Sequence, residues 1–203
     1  MLRPTLTERV PDALTSIGND PETLQAFKTH AGLPPEESWT EANSTLKGML
    51  ASAENAIEEL TGVSYRARSF KLYLSDIPCR QGFRKLILPR YPVTSVNGFG
   101  WTSSSGSAGV FLENTDFTIA GKNSKTPTLT FKSTVNFPDT SSVAYPYIFE
   151  FNAGPTAQLD LVRLTIFELA AYYYRYPEAV SDKSFKISSL FQSNIDLLAG
   201  SFL

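Results

Sequence analysis

The sequence holds one cysteine, Cys79, and one histidine, His30, in 203 residues. A single cysteine excludes an internal disulfide and every multi-cysteine zinc pattern. A single histidine excludes paired-histidine metal sites such as H-E-x-x-H. Charged residues make up only 19%, and the formal net charge is -2 at pH 7. A protein that grips phosphate backbones over a broad face needs clustered Lys and Arg, so this average argues against one. Long hydrophobic runs are missing too. Mean hydropathy is -0.13, and no stretch approaches the roughly 18 to 20 apolar residues of a membrane helix. Met1-Leu2-Arg3-Pro4 does not begin the apolar stretch of a signal peptide. What is present is a 42% hydrophobic share, enough to bury a core. The length suits one domain, or one domain with a sizeable insertion.

The order of elements predicts an α+β fold. Residues 1–20 show no sustained period and read as an extended N-terminal arm. Asp20-Pro21-Glu22 is a helix start, with Asp as cap and Pro in the first turn. A short helix follows to Ala31, and Gly32 ends it. The next helix carries Leu46, Met49, Leu50, Ala53, Ile57 and Leu60 on one stripe and stops at Thr61-Gly62. From 65 to 152 the pattern changes to short strands: Arg66–Leu74, Lys85–Leu88, Val93–Trp101, Val110–Leu112, Phe117–Ala120, Thr128–Phe131 and Tyr147–Phe151. Thr156–Tyr176 then reads as one long helix, apolar on more than one face, which requires cover from two sides. The expectation is a small helical core of two N-terminal helices and one long C-terminal helix. A block of antiparallel strands is inserted in it, and an extended arm over 179–203 follows it. Residues 21–178 would form a single domain.

Few residues offer chemistry. His30 could serve as a general base, but no G-x-S-x-G elbow accompanies it, and a cation is welcome at a helix C-terminus. Arg80 beside Cys79 could activate the thiol, yet a lone cysteine is more often a small apolar residue. Gly98-Phe99-Gly100 with Gly106 and Gly109 misses the G-x-G-x-x-G pattern, since Ser103 stands where the third glycine belongs. A hairpin tip is the better reading. Asp76, Glu113, Asp116 and Glu150 are the acids an acid-pair hydrolase would draw on, with Asp116 and Glu150 first. Trp101 and Tyr145 are the aromatics that a ligand- or glycan-binding module would use.

Two features point to partners instead. Tyr172-Tyr173-Tyr174-Arg175-Tyr176 cannot all face one core, and tyrosine with arginine is typical of interface hot spots. Nucleobase stacking is the sharper alternative, and the acidic balance disfavours it. The tail carries Phe185, Ile187, Leu190, Phe191, Ile195, Leu197, Leu198, Phe202 and Leu203 among serines. Such a segment either folds back on its own domain or docks on another chain.

The chain also resembles a known family. The residues that carry the resemblance are Leu24–Leu33, Ala56–Gly62, Leu86–Val96 with its Leu88-Pro89-Arg90-Tyr91-Pro92-Val93-Thr94-Ser95-Val96 core, Phe149–Gly154, and Glu168–Arg175, in that order. Together they resemble the head–tail connector (adaptor) proteins of tailed bacteriophages, the HK97-type connector and its relatives in gene transfer agents. The resemblance covers about residues 20–176. It implies a structural protein without catalytic activity, cofactor or membrane. Such a protein forms a ring, a dodecamer matching the portal, that extends the DNA channel at the virion neck. It offers a platform to the next neck or tail protein, a stopper or tail completion protein. DNA would pass through the lumen without sequence-specific binding. On this chain the resemblance makes Phe185, Ile187, Leu190, Phe191, Ile195, Leu197, Leu198 and Phe202 a portal-binding arm. Tyr172, Tyr174, Arg175, Tyr176 and Trp39 become the inter-subunit contact. A stopper or tail-terminator ring is the near alternative.

Overall fold

The computed structural model describes residues 5–8, 20–34, 40–80, 82–155, 159–176 and 189–200. The chain divides into two compact units. One comprises residues 1–11 and 66–156, the other residues 12–65 and 157–203.

Among its described residues the first unit is built of strands. One sheet has five strands in the order β1-β2-β9-β5-β6: β1 Thr5–Glu8, β2 Arg68–Leu74, β5 Val93–Thr102, β6 Ala108–Phe111 and β9 Tyr147–Ala153. The second has four, in the order β3-β4-β8-β7: β3 Cys79–Arg80, β4 Phe83–Ile87, β7 Phe117–Ala120 and β8 Thr128–Phe131. All strand pairs are antiparallel. Period-two alternation decides the buried faces. In β9, Tyr147, Phe149, Phe151 and Ala153 point inward, while Ile148, Glu150 and Asn152 point out. Side chains from both sheets meet in one core with Phe99 at its centre. That ring lies 5.0 Å from Phe149, 5.4 Å from Phe131, 5.5 Å from Phe111 and 5.8 Å from Phe117. On the outward side of the larger sheet, Lys71 pairs with Glu150 at 2.6 Å. Asn152 is bonded to Ser69, Ser95 and Asn97 there.

Among its described residues the second unit is built of helices. Helix α1, Pro21–His30, starts at Asp20, whose carboxylate accepts bonds from the Thr23 amide and hydroxyl. Those bonds hold the Asp20 carboxyl below its usual range. Helix α2, Thr40–Thr61, buries Leu46, Leu50, Ala53 and Ile57. It ends at Gly62, whose φ of 75° suits a residue without a side chain. The Glu58 carboxylate turns back to accept the Tyr65 amide at 2.9 Å. Helix α3, Leu159–Arg175, buries Val162, Ile166, Leu169, Ala170 and Tyr173. Phe27 of α1 packs on Phe167 of α3 at 5.6 Å.

The helix layout differs from the sequence expectation. Four helices are present among the described residues. The helix after the strands has 17 residues and is shorter than α2, which has 22. It is not the last helix. The tail read as an extended arm carries α4, Ser189–Gly200. Phe191, Ile195 and Leu198 fall at i, i+4 and i+7 and are buried, so α4 packs on both α2 and α3. The two-sided cover that the apolar helix requires thus comes from α2 and α4 of the same chain.

The division also redistributes charge. The β unit holds 12 of the 18 Lys and Arg but only 6 of the 20 Asp and Glu, a net +6. The remaining 6 basic and 14 acidic residues give the helical unit a net -8. The overall -2 is the small difference of two large, opposite balances.

Candidate functional site

The four acids singled out for chemistry each hold a structural bond, and His30 does not join them. His30 is exposed in the last turn of α1, with its ring 5.8 Å from Phe167. Asp76 takes the Ile77 amide at 2.7 Å and Arg84 at 3.3 Å. Glu113 pairs with Lys122 at 2.9 Å, and Asp116 accepts the Leu112 amide at 2.7 Å. Glu150 holds Lys71 across β2 and β9. Among the described residues no three His, Cys, Asp or Glu side chains stand together as a metal site.

Cys79 is exposed on β3 and lines an open cavity of about 150 Å³ with Phe83, Arg84, Lys132 and Phe137. The Arg84 guanidinium there lies 4.3 Å from the Phe137 ring centre and donates to the Ile77 carbonyl at 3.2 Å. Its cation is already engaged by its own unit.

The glycine-rich segment is the β5–β6 hairpin, with Thr102 opposite Ala108 and a serine tip between. Gly109 faces Trp101 in register, and a Cβ at that position would collide with the indole. Trp101 therefore packs across its own hairpin and onto Phe111 at 6.4 Å. We expect Gly109→Val to destabilise the β unit by about 1–3 kcal/mol, the usual cost of overpacking. A red shift of Trp101 fluorescence should accompany it; an unchanged unfolding midpoint would refute this packing. Tyr145 stands edge-on to Tyr73 at 6.5 Å.

The tyrosine cluster divides as its helical spacing requires. Tyr173 is buried, and burial pushes its phenol above the ordinary range. Tyr174 and Tyr176 are 42% and 50% exposed, and Arg175 is exposed beside them. Tyr172 is half-buried and packs on Tyr176 at 5.0 Å. Trp39, Phe185, Ile187 and Phe202 lie outside the described residues. Leu190 is in the first turn of α4. Phe191, Ile195 and Leu198 face the helical core, whereas Leu197 is 56% exposed. Asn194 donates to Glu168 of α3 at 3.0 Å.

One surface was not singled out in the sequence. Along β4, Leu86 points inward while Phe83, Lys85 and Ile87 point out, with Phe83 48% and Ile87 59% exposed. Alternation places Thr128, Thr130, Thr118 and Ala120 of β8 and β7 on the same face. Lys85 is the cation of this face; Arg84, on the other side of β4, pairs with Asp76, and no acid lies in strands β3, β4, β7 and β8.

The sequence matches no family model and no curated protein. The fold does have counterparts among solved structures. A chain in the neck of an empty gene transfer agent (GTA) particle, computed with C6 symmetry, superimposes with a TM-score of 0.71 at 20% identity, covering 96% of this chain and 94% of that one. A chain in the virion of a native GTA particle gives 0.68 at 20% identity, with 94% and 93% covered. A chain in the neck of a native GTA particle, computed with C12 symmetry, gives 0.68 at 18% identity, with 96% and 94% covered. The fold found here occurs in gene transfer agent particles. Both units are included, since nearly the whole chain is matched.

Proposed function

We propose that this protein is a ring-forming structural subunit of the head–tail neck of a tailed phage or phage-like particle. Within the neck it acts as the adaptor, the HK97-type connector position, seated on the portal vertex. It extends the DNA channel and carries the next neck or tail protein. It performs no catalysis and needs no cofactor. The observation that supports this reading is the whole-length fold likeness to chains from neck structures with six-fold and twelve-fold symmetry. A dodecamer is the expected copy number. The order of helix, strand and helix motifs agrees with it independently.

A ring requires two different patches on every subunit, joined heterologously until the rotation closes. Tyr174, Arg175 and Tyr176 at the end of α3, with Tyr172 and Trp39, contribute to one such contact in this reading. Residues 185–203 provide the portal-facing segment. Phe191, Ile195 and Leu198 hold α4 to its own unit. The portal is therefore met by the outer side of α4, where Leu197 is exposed, and by the residues flanking that helix.

The reading is tested by mixing the protein with the portal ring from its own genome and imaging the product. Deleting 185–203 is a poor variant, because it uncovers α2 and α3. Leu197→Asp leaves the helical core intact and should weaken attachment to the portal at least about tenfold, as burying an unpaired charge in an interface does.

A further inference from the structure

The sheet face formed by β3, β4, β8 and β7 combines large exposed apolar side chains with positive charge. Its centre is Phe83, Lys85 and Ile87; Lys85 supplies the charge, and none of its four strands contains an acid. A patch of this kind should not stay in water. The opposite character is found at the end of α2. Glu59 is exposed there, and Leu60 beside it is 57% exposed. The last turn of α2 contains no basic residue. A carboxylate at the negative end of a helix dipole is unfavourable, because the orphan carbonyls repel it. Glu58, its neighbour, offsets that by taking the Tyr65 amide. Glu59 makes no such bond among the described residues.

We propose that the basic face of one copy receives the α2 end of the next copy. Leu60 seats between Phe83 and Ile87, and Glu59 meets Lys85. This contact rests on the ring reading above and names the electrostatic surface that closes the ring. The unequal charge balance supports it, since a +6 unit and a -8 unit attract between copies in a head-to-tail order. It also supplies the cation that the end of α2 lacks. Duplex DNA is the other polyanion that a basic face could take. Phe83 and Ile87 argue against it, because a phosphate backbone gives large aliphatic and aromatic groups no apolar partner.

The test uses the full-length chain and mass photometry of ring assembly against protein concentration. Lys85→Glu and Glu59→Lys should each raise the concentration for half-assembly about tenfold or more, since each sets like charges against each other at every junction. Glu59→Lys should also leave the melting temperature of the monomer unchanged or higher, because it places a cation at the helix C-terminus. The double variant should assemble like the unaltered protein. So should an equimolar mixture of the two single variants, in which every junction again pairs opposite charges. Raising salt from about 0.1 M to about 1 M, which shortens the Debye length from roughly 10 Å to 3 Å, should weaken assembly.

If rings form but neither single variant changes their assembly, the proposed contact is wrong and the ring reading survives. The same conclusion follows if Lys85→Glu weakens retention of duplex DNA and leaves assembly untouched; the face then belongs to DNA. A chain that stays monomeric at every salt concentration and on the portal overturns the ring reading, and this contact with it.

Discussion

Phe99→Ala is expected to destabilise the β unit by about 3–5 kcal/mol, the range for truncating a fully enclosed aromatic residue. Phe99 has no exposed surface. Its ring meets Phe149 at 5.0 Å on its own sheet and Phe131 at 5.4 Å and Phe117 at 5.8 Å on the other. One side chain thus joins the two sheets, and aromatic pairs add about 0.5–1.5 kcal/mol beyond area burial. A loss of this size is a large share of the roughly 5–15 kcal/mol that holds an ordinary domain folded. Denaturant unfolding followed by Trp101 fluorescence reads it directly, in a Trp39→Phe background that silences the other tryptophan. Phe99→Leu should cost clearly less, because most of the volume is kept. A shift under about 1 kcal/mol for the alanine variant would mean that the two sheets do not share this core.

Leu198→Ala is expected to cost the helical unit about 2–5 kcal/mol, whereas Leu197→Asp, one residue away, should stay within about 0.5 kcal/mol. Leu198 has no exposed surface and Leu197 is 56% exposed. The contrast is the signature of a docked helix with one buried stripe. If the tail were an undocked arm, neither substitution would alter the unfolding midpoint. The helical band in circular dichroism, monitored through thermal melting, distinguishes the two cases.

Much of the helical unit was legible because its signals are local. Asp20 before Pro21 marks the start of α1, and Gly62 marks the end of α2. The stripe from Leu46 to Ile57 is long enough for its period to be unambiguous. α4 does not stand out in the sequence although Phe191, Ile195 and Leu198 have helical spacing. Serines and asparagines around them suggested an arm, and packing on α2 and α3 overrode that weak local preference. β1 is hidden in the sequence for a different reason. Four residues, Thr5–Glu8, are too few for alternation to register, and only the edge of β2 makes them a strand. In β5 the register shifts twice, between Val93 and Ser95 and between Val96 and Gly98. Those bulges break the period that sequence reading depends on.

The candidate surfaces were less legible than the fold. Tyr172 to Tyr176 stood out because four tyrosines in one and a half turns are unusual. Phe83, Lys85 and Ile87 did not, since a single strand with one inward leucine looks like any half-buried strand. Their meaning depends on β3, β7 and β8 also lacking acids, and on the charge split between the two units. An average over the whole chain cancels that split. The net charge of the whole sequence therefore describes neither unit.

The central claim is that this chain forms a neck ring. It is tested most directly by electron microscopy, with mass determination, of the protein mixed with the portal ring from its own genome. The account predicts a second ring stacked on the portal, with the portal's symmetry and twelve copies of this chain expected. A chain that remains a monomer and adds no density to the portal would contradict it.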